Sequence, residues 1–317
     1  ILETFNPGYM SSLGLGYDEL KKDNSRLIMC SLTPFGQTGP WKDYFTSDLV
    51  HLAAGGQMGC CGYDDDDVTD APPIAGGGGQ AWHMGSHFAY MAIMAALVYR
   101  TTTGKGQYID VAVHDACALT TEMHISTWVY DGKVPLRHTG RHASPAVSPR
   151  LQHLCSDGRY LITAALRLAP RQLKLLAEWM DGYGMADDLM DEKYQDGAEI
   201  QGSMPHIVET ITKFVTSRTS DEIYNGAQER GFPWGVIRAP DDLLDDGQLQ
   251  DRGFWVNVEH PELGRSFTYP GTAAIYGKSP WLLSRRSPLI GEHNREVLCG
   301  ELGLTKAELA ILAEGGV

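Results

Sequence analysis

From Trp82 to Arg100 the sequence is almost wholly apolar, with alanines and methionines on every face of the helix that the spacing predicts. A helix without a polar side is expected to be buried all round, so the remaining elements must be arranged to cover it. Its longest uninterrupted apolar run, Phe88 to Tyr99, is too short for a membrane span, which takes about 20 residues. The flanks are equally informative. Four glycines, Gly76 to Gly79, lead into the helix, and Thr101 to Gln107 ends it, with Gly104 as the expected C-terminal cap. Lys105 lies near the negative helix end. A strand, Tyr108 to Val113, follows at once, and helical spacing returns from Asp115 to Tyr130.

Elsewhere the pattern is mixed α/β, in two lobes. Ile1 to Phe5 reads as the end of a strand running into the turn Asn6-Pro7-Gly8, an opening in mid-element that leads us to expect more chain ahead of it. Arg26 to Ser31 is a short apolar strand, and Gly36 to Trp41 is turn-rich. Asp64 to Asp67, Pro72-Pro73 and the glycine run together suggest a flexible, solvated connection. Residues 131–150 are rich in Arg, His, Pro and Gly without a period, as in a linker or a crossing at an active site. A second region offers a strand over Tyr160 to Leu166, helices over Pro170 to Asp181, Pro205 to Ser217 and Asp221 to Arg230, and a strand over Trp234 to Arg238. Ser220 is the expected cap of the third helix. Short β-like runs occupy 254–276. Helices are expected over Glu292 to Leu302 and Lys306 to Glu314, the latter opened by Thr305 and Glu308 as a capping box.

The charge is −14, with no Lys/Arg cluster against it, which argues against a long phosphate backbone as partner. Six cysteines form no CxxC pair and no disulfide framework, as expected of reduced thiols in a cytoplasm. The run GGGGQA fits a loose dinucleotide-binding pattern, but prolines rather than a strand precede it. His83 and His87 have metal-ligand spacing, yet no third ligand is evident, so no metal site is assigned. The four aspartates lack the alternation and the glycine of a calcium loop. One arrangement remains on physical grounds alone. A glycine turn that delivers the chain into a helix N-terminus leaves backbone N–H groups and the positive helix end where a carboxylate, thioester oxygen or phosphate could bind.

Several residue groups then point the same way. Glu3-Thr4-Phe5-Asn6-Pro7-Gly8 followed by Leu13-Gly14-Leu15 resembles the ENFRPG element of the family III CoA-transferases, the group of formyl-CoA transferase, carnitine CoA-transferase and α-methylacyl-CoA racemase. The similarity continues through Arg26-Leu27-Ile28, Phe35 to Pro40, Ala95-Ala96-Leu97 with Arg100, Thr103 to Gln107 and Val111 to Ala116. It ends with Pro288 to His293, Val297-Leu298 and Leu302-Gly303-Leu304.

The resemblance implies a Rossmann-like large domain built from both chain ends, with a smaller α+β domain inserted and two chains threaded as interlocked rings. Residues 1–130 would form part of the large domain, 131–150 a linker, 151–275 the small domain and 276–317 the helices returning to the large one. Family members carry a further Rossmann-like stretch before the ENFRPG element. The implied reaction moves CoA between an acyl-CoA thioester and a carboxylic acid, with the thioester as substrate and no permanently bound cofactor. In the family an Asp attacks the thioester, and covalent catalysis of this kind needs an ionised carboxylate. Here that slot falls at Gln80-Ala81-Trp82, and no Asp or Glu occurs between Asp70 and Asp110.

Three readings follow. The chain could be a transferase with a substituted nucleophile, Asp48 or Glu122, and with His83 positioning substrate. It could be the partner subunit of a heteromer whose sister chain carries the Asp. It could be an isomerase, racemase or binding-only protein, with His83 and His87 as the available bases; the racemase branch uses a His beside the family's first Asp, where Ser47 stands here. The implied CoA contacts are Phe5, Leu13, Gly78, Gly79 and Gln80.

Overall fold

Three short strands, β1 (Leu2–Glu3), β2 (Met29–Thr33) and β3 (Tyr108–Ala112), pair in that order as a parallel sheet. Its register sets Leu2 against Cys30 and Met29 against Tyr108. The computed structural model describes all of residues 1–317 except 65–66, 122, 142, 164–167 and 317. The described residues form two compact units, Ile1–Ile237 and Arg238–Val317.

In the first unit, α1 (Tyr9–Ser12) and α2 (Tyr17–Asp23) separate β1 from β2. Next come α3 (Asp48–Ala54) and the long α4 (Gln80–Thr103), which leads into β3. Gly104 closes α4 in the left-handed conformation (φ 72°) that glycine adopts without strain, its N–H donating to the Arg100 carbonyl. The expected helix over Asp115 to Tyr130 is in fact two, α5 (Val113–Leu119) and α6 (His124–Asp131). Thr120 and Thr121 interrupt it by turning their hydroxyls onto the carbonyls of Cys117 and Ala118. Val113 accordingly starts a helix and does not end β3.

The expectation that the long apolar helix is covered on every face is not met within this chain. Ala81, Gly85, Ala89 and Ala96 are buried, whereas Tyr90, Met91, Met94 and Val98 form an exposed apolar stripe. Small residues let α4 come close to α5 and to the sheet: a Cβ on Gly85 would lie 2.9 Å from the Val113 side chain of α5 and 3.4 Å from the Leu32 side chain of β2. Asp65 and Asp66 of the aspartate run lie outside the described residues, but its two ends depart from a solvated connection, because Arg141 grips Asp64 and Arg150 pairs with Asp67.

The rest of the first unit holds an antiparallel sheet of β4 (Gln152–Leu154), β5 (Tyr160–Ile162) and β6 (Gly235–Val236), packed by α7 (Pro170–Asp181), α8 (Gly197–Gly202), α9 (Met204–Thr216) and α10 (Ser220–Glu229). The end of the expected strand at Tyr160 to Leu166 lies outside the described residues. The cap of α10 is Thr219, not Ser220: Thr219 and Glu222 complete a capping box, while Ser220 is buried and donates to Asp157. This region has the larger core, with Leu161, Leu173, Ile207, Phe214 and Trp234 among its buried side chains.

The second unit opens with α11 (Gly247–Asp251) and a hairpin of β7 (Trp255–His260) and β8 (Arg265–Pro270), paired from Trp255–Pro270 to His260–Arg265. Arg286 ties Glu262 to Glu292. A π-helical turn, Arg295–Glu301, replaces the expected regular helix, and α12 (Lys306–Glu314) carries the anticipated Thr305–Glu308 capping box. No helix among the described residues is long and apolar enough to cross a membrane.

Candidate active site

The glycine run opens α4 with Gly79 at the N-cap, in the left-handed conformation and without a side chain to satisfy the first helical N–H groups. Gln80 folds back and donates its amide to the Gly77 carbonyl at 3.1 Å. The missing cap comes instead from the neighbouring helix. Ser47 accepts from the Val50 N–H and starts α3, which places Asp48 in the first turn. The Asp48 Oδ1 then accepts from the Ala81 N–H at 2.8 Å. A half-buried carboxylate is thus held at the positive end of a 24-residue helix. Among the described residues the N–H groups of Gln80 and Trp82 have no partner, so the same helix end can still receive an oxyanion.

One turn beyond Asp48 is His51, fully buried, a residue that sequence reasoning did not single out. Its ring lies 5.1 Å from Phe35 and 5.4 Å from Trp82, centroid to centroid. Neither ring nitrogen has a hydrogen-bond partner among the described residues. Burial pushes its pKa below the ordinary imidazole value; His114 adds to this and Asp48 opposes it. The only local signal was its spacing three residues after Asp48, which sets both on one helical face.

The other expected site residues are spread more widely. His83 is exposed, two residues along α4 from the buried Ala81 and therefore on the opposite side of the helix. Its carbonyl accepts from Nδ1 of His87 at 2.7 Å. Glu122 lies outside the described residues. Phe5 is half exposed with its ring against Tyr9, and Leu13 caps the end of α1. Beside them a cavity of about 630 Å³ is lined by Glu3, Asn6, Tyr17, Ser31 and Tyr108. Gly78, Gly79 and Gln80 are at the mouth of α4 as described. A second cavity, of about 700 Å³, is bordered by Gln57, Thr120, His124, Arg141 and Thr163. Gln57 donates to the Thr120 hydroxyl at 2.8 Å and leaves its own carbonyl oxygen buried and unpartnered. Among the described residues no group of three or more His, Cys, Asp and Glu side chains could hold a metal ion.

A parallel sheet and a carboxylate-capped helix after a glycine turn, with no carboxylate in the first turn of that helix, make up this site. The chain belongs to CoA-transferase family III, whose profile matches residues 1–294. It is 34% identical over 309 residues to the succinyl-CoA:(R)-benzylsuccinate CoA-transferase subunit BbsE of Thauera aromatica, covering 95% of this chain and 72% of that one. It is 26% identical to the succinyl-CoA–L-malate CoA-transferase beta subunit of Chloroflexus aurantiacus, covering 98% of this chain and 74% of that one. Among solved structures, a CAIB/BAIF family protein from Brucella suis superposes with a TM-score of 0.73 at 25% identity, covering 94% of this chain and 74% of its own.

Proposed function

We propose that this chain is a subunit of a CoA-transferase that moves CoA between an acyl-CoA thioester and a carboxylic acid, and that a sister chain supplies the nucleophilic Asp. The observation that carries this reading is the first turn of α4. Gln80, Ala81 and Trp82 bring no carboxylate, and Asp48, the carboxylate that reaches the turn, accepts the Ala81 N–H as a cap. Loss of a nucleophile costs several orders of magnitude in rate, so a chain lacking it gains most from a partner that has one. Two relatives whose names call them subunits support the same assignment. With it go a Rossmann-like large domain, an inserted small domain, an interlocked dimer or heteromer and a cytoplasmic location.

The test is transfer from succinyl-CoA to a carboxylic acid, measured for the pure chain, for an Asp-bearing sister chain and for their mixture. The expected result is turnover only where the sister chain is present and a rise on adding this one. Equal turnover by the pure chain and the mixture would sink the reading.

A second reading takes Asp48 as a relocated nucleophile, favoured by its place beside the unpaired N–H groups of the helix end. Hydroxylamine trapping on the pure chain after incubation with succinyl-CoA separates the two. A hydroxamate mass mark on Asp48 supports the relocated nucleophile; an unmarked chain beside a marked sister supports the subunit reading. An isomerase role for His83 and His87 gains nothing from the geometry, because His83 is directed away from the buried side of α4 and His87 is engaged with the His83 carbonyl.

A further inference from the structure

The crossing at 131–150 does more than join two parts of the first unit. Among its described residues the one ladder contact is the bridge between Leu136 and Ser144, and with Tyr63 and Asp64 residues of the crossing line a cavity of about 500 Å³. The walls include Tyr63, Pro135, Leu136, Arg137, His138, Val147 and Ser148. In a chain of charge −14 this cavity collects three arginines. Two are already neutralised. Arg141 donates to both oxygens of Asp64 and to the Ser148 hydroxyl, and Arg150 is paired with Asp67.

Arg137 is different. Its Nε is buried without a partner, and the side chain makes no hydrogen bond or ion pair among the described residues. Gly62 lets it lie there, since a Cβ at that position would come within 2.7 Å of the Arg137 Cδ. A guanidinium partly withdrawn from water without an acceptor is costly unless something else satisfies it.

His138 carries a second unsatisfied donor. It is buried, with 3% of its surface exposed, and its Nδ1 lies 3.0 Å from the Ser148 hydroxyl. Arg141 Nε also donates to that hydroxyl oxygen at 3.0 Å, and with the hydroxyl hydrogen given to Nδ1 the ring proton is assigned to Nε2. Nε2 is buried and has no partner among the described residues. Burial, with Arg141 adding, holds His138 below the ordinary imidazole value, so it serves as a neutral donor. Two orphaned donors and one uncompensated positive charge thus line one cavity.

We infer that this cavity is a carboxylate-binding site, in which Arg137 and the Nε2–H of His138 receive the anionic end of an organic acid whose carbon body rests on Tyr63, Leu136 and Val147. The charge balance among the described residues favours a monoanionic carboxylate over a phosphate dianion, because Arg137 is the one cation of the cavity left unpaired there. Under the transferase reading the bound acid is a substrate carboxylate, and only that role, not the binding, rests on the reading.

The test is calorimetric titration of the full chain with 3-phenylpropanoate, butyrate and inorganic phosphate. Saturable binding of 3-phenylpropanoate is expected, with at least a ten-fold loss in Arg137→Gln and less than a two-fold change in Lys174→Gln, an exposed residue of α7. A second measurement needs no variant: 3-phenylpropanoate should protect Arg137 of the wild-type chain from phenylglyoxal, mapped by peptide mass. Absence of binding, equal affinity in Arg137→Gln, unprotected Arg137, or tighter binding of phosphate than of the carboxylate would each overturn the site. Occupancy is read without turnover, so a chain that binds the acid but contributes nothing to transfer would uphold the site and sink the transferase reading.

Discussion

Asp48 caps α4, and one pair of substitutions separates that role from the nucleophile role of the second reading. As a cap it needs only an acceptor oxygen for the Ala81 N–H, so Asp48→Asn keeps the bond and Asp48→Ala loses it. The alanine variant is expected to lose about 1 kcal/mol of stability and the asparagine variant little, in line with N-cap substitutions; chemical denaturation checks this. Any covalent labelling at this position must disappear in both. His51 sets a pH dependence on the same helix. Its folded pKa lies below the 6.5 of an unperturbed imidazole, so the unfolded chain takes up the proton first as pH falls. Stability is therefore complete above about pH 6.5 and is lost as pH drops through that value towards the depressed folded pKa. His51→Phe removes one titrating group and should flatten this part of the curve by up to about 1.4 kcal/mol per pH unit. His138 and His153, both lowered by burial, should leave a residual slope. Thermal unfolding at pH 7.5 and pH 5.5 reads the difference, and an unchanged slope in the variant would show that His51 is not the group titrating.

Two helical glycines of the first unit show how much packing decides at the level of an element. A Cβ on Gly226 in α10 would lie 2.4 Å from the Trp179 indole of α7, whereas Gly202 at the end of α8 has open space around it. Gly226→Ala should therefore cost on the order of 1–3 kcal/mol through overpacking. Gly202→Ala should be neutral or stabilising by up to about 1 kcal/mol, because it restricts the unfolded chain. Denaturant midpoints of the two variants give the contrast directly. The same distinction explains what was legible in the sequence. Pro170–Asp181 and the Thr305–Glu308 capping box are set by neighbours three or four residues apart, so pattern alone finds them. The α3–α4 contact is not local: Asp48 and Ala81 are 33 residues apart, and nothing in either segment marks the other. The aspartate run read as solvated because its cations come from 77 and 83 residues away. The break between α5 and α6 was hidden because two threonine hydroxyls ended a helix whose apolar period continues past them. The family was legible from ordered motifs; the unpartnered nitrogens of His51 and Arg137 were not, since burial is a property of the fold.

For the whole molecule, the exposed apolar side of α4 is the feature that a single chain leaves unexplained. Tyr90, Met91, Met94 and Val98 share one helical face, and α6 adds Trp128, Val129 and Tyr130, the last 85% exposed. Isolated surface hydrophobics are ordinary, but a stripe of them along one face of a helix marks an interaction surface. An interlocked pair of chains, or a chain with its sister, would cover it and would complete the all-round burial that the composition of α4 demands. The full chain is therefore expected to sediment as a dimer at micromolar concentration when alone, and as a heteromer when mixed with an Asp-bearing sister. Val98→Asp should shift it to monomer while leaving the far-ultraviolet circular dichroism unchanged, since Val98 is 64% exposed within the chain and its replacement disturbs no internal packing. Monomeric sedimentation of the wild-type chain both alone and in the mixture would remove the interlocked assembly. It would also deprive the subunit reading of the physical contact on which it depends.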